Sequence, residues 1–238
     1  MPQLNTPTSR RLAALAVAAK LLLAAGSALV LATEPLPAQA QSTASATANA
    51  ADSAAYAAAF ARFQQAGAGE SGAADEAAAQ FARLLAAHPA DPVLRAYAGA
   101  ATTMRARGTL LPWRKLSHAE DGLALIDKAL AQLTPAHDAP GHQGVPASLE
   151  TRFVAAGTFL ALPGMFNRGA RGAKLLDEVA HSPLLDGAPL PFRGAVWLRL
   201  AQQAQSDKHP AEARRWLDKL IAAGAPQTAA AQAQLKEI

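Results

Sequence analysis

The stretch WLRLAQQAQSDKHPAEARRWLDKLIAAGAP, residues 197–226, holds two apolar runs with helical spacing. Trp197, Leu200, Ala201 and Ala204 recur at steps of three and four, as do Ala213, Leu217 and Leu220. Such steps place side chains on one face of a helix. Pro210 stands where a proline favours a helix start. The runs read as helices over Phe192–Gln205 and Pro210–Ala223, joined by a short turn.

The spacing Trp197-x2-Leu200-Ala201-x2-Ala204-x8-Ala213-x3-Leu217-x2-Leu220 resembles the tetratricopeptide repeat pattern W-x2-L-G-x2-Y-x8-A-x3-F-x2-A-x4-P. Trp197, Leu200 and Ala213 are identical to it, and the final proline comes one residue late, at Pro226. In such a repeat the large residues fill the space between two helices, and Ala201 and Ala213 sit where backbones cross closely. Ala77-x3-Phe81-x2-Leu84-x4-Pro89 matches the second helix of another repeat. An internal echo joins them. Leu111-Pro112 leads to Asp127 and Leu162-Pro163 leads to Asp177, separations of 15 and 14 residues. The resemblance covers most of residues 54–237. It implies an all-α fold of antiparallel helix pairs stacked as a short TPR-like solenoid of about 8–9 helices. An ordinary helical hairpin in an Ala-rich bundle meets the same spacing.

Outward from this stretch the chain continues to read as helix, without strand alternation. Tyr56, Phe60 and Phe63 share one face of a first helix that starts near Ala54 and ends at Ala66-Gly67-Ala68-Gly69. A second spans about Gly72–His88, with Asp75 and Glu76 favourably placed in its first turn. Asp91-Pro92 opens a third, which ends near Gly108. Further helices cover about Pro112–Leu133, Pro146–Leu160, Met165–His181 and Gln227–Lys236. Residues 134–145 and 182–191 read as loops.

The N-terminus carries a different signal. Arg10, Arg11 and Lys20 precede the apolar run LLLAAGSALVLA, residues 21–32. This run is shorter than the ~20 residues of a membrane span and suits the core of an export signal. Ala38-Gln39-Ala40 gives a small-x-small cleavage pattern, so residues 1–40 read as a signal peptide cleaved after Ala40. An uncleaved anchor is the alternative. Residues 41–53 read as a flexible linker and 54–238 as the helical domain. The expected location is periplasmic or secreted, by either the general secretory or the twin-arginine route. A chain with no Cys has neither disulfides nor a lipid anchor. Loss of Arg10, Arg11, Lys20 and Glu34 lowers the formal charge from +4 to +2, which does not argue for nucleic acid.

Chemistry is sparse. No Gly-rich phosphate loop, HExxH or G-x-S-x-G motif is present. His137 and His142 lie in a Pro/Gly-rich loop and read as solvated rather than as metal ligands. His88, His181 and His209 lie near helix ends, where they can meet terminal carbonyls. No catalytic, cofactor or metal site is expected. The echo does place Trp113 and Arg114 opposite Phe166 and Arg168, an aromatic beside a cation, which is a frequent binding pairing. Packing between repeats is the competing reading of these aromatics. Arg95, Arg152 and Arg193 fall in what would be first helices of repeats, which line the groove in the family.

Two functions fit. One is a non-enzymatic protein-interaction scaffold or adaptor in the bacterial periplasm, with room for association with an inner-membrane complex. The other is a helical small-molecule or lipid-binding accessory protein of an envelope transport system, binding through Phe153, Phe159 and Trp197.

Overall fold

The computed structural model describes residues 38–238, with side chains from Ala50 onward. The expected export signal falls almost wholly on residues 1–37, outside the described residues. The described chain is helical, with no strand among the described residues. Its α-helices are α1 Ala38–Gly67, α2 Ala73–Ala87, α3 Pro92–Gly108, α4 Pro112–Ala131 and α5 Ala147–Ala161. They continue as α6 Gly169–Ala180, α7 Leu184–Gly187, α8 Leu190–Ser206, α9 Pro210–Ala222 and α10 Thr228–Leu235.

Local chemistry sets many of these boundaries. Asp91 Oδ1 accepts from the amides of Val93 (2.8 Å) and Leu94 (3.0 Å), and Pro92 occupies the first turn of α3. Both devices satisfy or remove helix-start donors that would lack partners. Two expectations are corrected. Helix α1 includes residues 41–53, assigned above to a linker, because QSTASATANAAD contains no Gly or Pro to break an Ala-rich helix. The 182–191 segment is not wholly loop, since it contains the one-turn α7.

The helices pack in chain order. α1 lies on α2, α2 on α3, α3 on α4 and α5, α5 on α6, α8 on α9, and α9 on α10. The α3–α4 contact is the most extensive, and glycine explains it. A methyl group at Gly99 would lie 2.6 Å from the carbonyl oxygen of Gly122, so only glycine permits this approach.

The main core gathers Tyr56, Phe81, Leu94, Tyr97, Ile126 and Phe159. Trp197, Leu217 and Leu220 centre a second core between α8 and α9. Leu200 packs against both and against a third cluster around Leu149 and Val196, joining the two ends of the molecule. Of the residues read as repeat packing, Ala77, Phe81, Trp197, Ala213 and Leu217 are buried, Leu200 is half-buried, and Pro89 is exposed in the α2–α3 turn.

Candidate binding groove

A groove of about 1080 Å³ runs along one side of the helices. Phe60 and Phe63 come from α1, Tyr97 and Met104 from α3, and Phe192 and Arg199 from α8. The floor is a single face of α5, carrying Glu150, Phe153, Gly157 and Ala161 at helical steps. Leu116 of α4 and Met165 and Phe166 of the α5–α6 turn line it as well. Gly157 has nothing within 4 Å of where a Cβ would stand, so backbone is open to the groove there.

The polar end is built on Glu150, which is only 4% exposed. The chain's two tyrosines both donate to its Oε1, Tyr56 at 2.6 Å and Tyr97 at 3.0 Å. Oε2 is buried without a hydrogen-bond partner among the described residues. Burial raises the Glu150 pKa above the usual carboxylate value, and the two phenol hydrogen bonds only partly oppose this. Burial and the nearby carboxylate push both phenols well above their ordinary range, so they remain donors. Tyr56 belongs to α1, Tyr97 to α3 and Glu150 to α5, and one carboxyl therefore ties three helices together.

His142 covers this cluster from the loop. Its ring stacks on Tyr56 at 4.2 Å, and Nε2 lies 2.8 Å from Asp91 Oδ2. Burial favours the neutral imidazole, but the Asp91 hydrogen bond and nearby carboxylates outweigh it and raise the pKa. Asp91 moves the other way: burial raises it, while His142 and the α3 amides lower it overall. The solvated reading of His142 is thus corrected, because its partners Tyr56 and Asp91 lie far away in sequence. A second hollow of about 550 Å³ adjoins His142, His137 and Asp91. His137 Nδ1 sits 3.0 Å from the Thr134 amide, a contact within its own turn.

Three cations line the groove, Arg107, Lys115 and Arg199, and Arg199 is the one tied to α5. It donates to the Gly157 carbonyl at 3.1 Å, and burial lowers its pKa. Gly157 follows Glu150 by seven residues, about 10 Å along the helix, so acid and base stand roughly two turns apart. This arrangement can hold an extended apolar segment, with Arg199 as a polar group on the wall and Glu150 bracing the helices beneath.

The residues singled out from sequence scatter. Phe166 borders the groove and packs on the core. Arg168 is paired with Asp127 at 2.8 and 3.2 Å, and its guanidinium lies 5.3 Å from the Phe159 ring. Arg95 is buried and donates to Gln132 (2.6 Å) and the Pro89 carbonyl (2.5 Å), away from the groove. Arg152 bonds the Ser148 carbonyl in its own helix. Arg193 lies over the Trp197 ring. Trp113 and Arg114 are exposed on α4. Of the aromatics assigned to a ligand cavity, Phe153 lines the groove, while Phe159 and Trp197 are buried in the cores. Sequence reading missed Glu150, whose one signal is a carboxylate inside the apolar α5 run. Among the described residues no group of three or more His, Cys, Asp or Glu is placed to hold a metal ion. No known protein family, curated protein or solved structure matches the chain.

Proposed function

We propose that this chain is a non-enzymatic, TPR-like helical-repeat protein of the bacterial periplasm whose groove holds an extended apolar segment of a partner protein. The groove carries this reading. Helices pair in chain order as α1/α2, α3/α4, α5/α6 and α8/α9, and the first helix of each pair contributes to the groove wall. Tetratricopeptide-like repeats bind peptides on an extended surface of stacked helix pairs. Phe60, Phe63, Met104 and Phe153 supply apolar contact area, and Arg107, Lys115 and Arg199 supply polar groups beside it. The N-terminal basic and apolar pattern supports export.

A photo-crosslinking residue at Met104 or Phe63 tests this in intact envelopes. The reading expects one reproducible polypeptide adduct, absent when the probe stands at exposed Ala79 on α2. Gly157→Leu, which fills the floor where nothing stands within 4 Å, should abolish the adduct without unfolding the chain. Equal capture from Ala79, or no adduct, refutes the proposal. The second reading, a lipid or small-molecule accessory protein, is favoured by the apolar aromatic lining, Phe153 included. It predicts a co-purifying small ligand in native mass spectrometry, lost in Gly157→Leu.

A further inference from the structure

We propose that the α3–α4 and α5–α6 turns form a lip that docks the protein on an anionic lipid bilayer. Leu110 is 92% exposed, Met165 78%, Trp113 67% and Leu116 42%. These are large apolar side chains, Leu110 and Met165 in the two turns and Trp113 and Leu116 at the start of α4. Leu116 and Met165 both line the groove, so both turns border it. Isolated exposed leucines are common, but a cluster around a tryptophan marks an interaction surface.

Charge identifies the partner. Between Asp91 and Glu120 there is no acidic residue, while Arg95, Arg105, Arg107, Arg114 and Lys115 are basic. Arg95 is used inside the fold and Arg105 pairs with Asp75 at 2.6 Å. Arg107, Arg114 and Lys115 have no acidic partner among the described residues and are exposed around the lip. Acidic side chains are also missing from residues 151–176, which span the second turn. Lysine is depleted from protein–protein interfaces, whereas Trp and Leu flanked by Lys and Arg suit the boundary between acyl chains and phosphate headgroups. No described helix is long and apolar enough to cross a membrane, so this contact is peripheral.

Trp113 reports on its own environment. The other tryptophans are buried (Trp197) or half-buried (Trp216). The chain, purified as it accumulates in cells, is titrated with phosphatidylglycerol-containing vesicles and with phosphatidylcholine vesicles. Trp113 emission should shift to the blue and be quenched by brominated lipid, with anionic vesicles only. Trp113→Phe should remove most of the shift. Arg114→Gln with Lys115→Gln keeps the reporter and should weaken binding about twenty-fivefold, at roughly fivefold per cation. Anchoring through another segment leaves Trp113 in water, and an unshifted emission overturns the proposal. So does a shift that persists in Trp113→Phe, one equal on phosphatidylcholine, or one that only a protein partner produces.

Discussion

Gly99→Ala and Gly157→Ala should change stability in opposite directions, although both put the same residue in a helix interior. Each gains up to about 1 kcal/mol of helix propensity, partly by restricting the unfolded chain. At Gly157 nothing lies within 4 Å of the new methyl, so the gain stands alone, at about 0.5–1 kcal/mol. At Gly99 the methyl meets the Gly122 carbonyl oxygen at 2.6 Å and Ile126 Cγ1 at 2.8 Å. The first of these is backbone and cannot rotate away. Bringing that approach to an ordinary 3.4 Å contact parts α3 from α4 by about 0.8 Å. Overpacking of this kind costs about 1–3 kcal/mol, leaving a net loss of up to about 2 kcal/mol. Urea unfolding followed by circular dichroism measures both variants, with the unfolding slope checked for constancy. The melting temperatures should differ by several degrees, at about 2–4 °C per kcal/mol for a chain of this size. If Gly99→Ala is as stable as Gly157→Ala, the close α3–α4 crossing is wrong.

The remaining predictions concern the polar cluster and the tryptophans. Because burial raises the Glu150 pKa, the folded state favours its neutral form, and stability is lost as pH rises from the usual 4.5 through the raised value. Glu150→Gln should flatten this dependence, so its stability relative to wild type should grow between pH 4 and pH 8 in urea titrations. His142 is raised from 6.5, so its charged contribution is complete below that value and lost as pH rises through the folded one. Asp91 is lowered from 3.8, so its contribution is present above that value and lost on acidification. His142→Ala should therefore cost most between pH 4 and 6.5 and less at pH 9, the pH-dependent part reaching about 1 kcal/mol at most for a pair whose side chains are 27% and 25% exposed. Equal costs at both pH values would show the pair to be unimportant. Trp197→Ala should cost about 3–5 kcal/mol by opening a cavity between α8 and α9. Trp113→Ala should change thermal stability by no more than about 0.5 kcal/mol, and a larger loss would mean the side chain is packed.

Much of the secondary structure was legible because its signals are local. Asp91-Pro92 marks the start of α3, Pro210 that of α9, and Gly67 with Gly72 brackets the turn before α2. Periodicity also picked out Phe81, Trp197 and Leu217, all buried. The misreadings share one cause. The α1 extension to Ala38 lacks an apolar face, so periodicity had nothing to register. His142 sits among Pro and Gly, and its partners come from α1 and from the residue that caps α3. Arg95, Arg152 and Arg193 were placed by helix and Arg168 by the internal echo, but burial at Arg95 and the ion pair at Arg168 depend on neighbouring helices.

The groove shows the same division. The pattern of three- and four-residue steps is enough to specify an all-helical chain, since each helix is encoded within its own few turns. It does not say that Gly99 is closed against Gly122 while Gly157 is open. Nor does it say that Trp197 is buried while Trp113 is exposed, or that both tyrosines meet on Glu150. Those outcomes depend on how separate helices cross, and a crossing is set by the volumes of all the side chains meeting there.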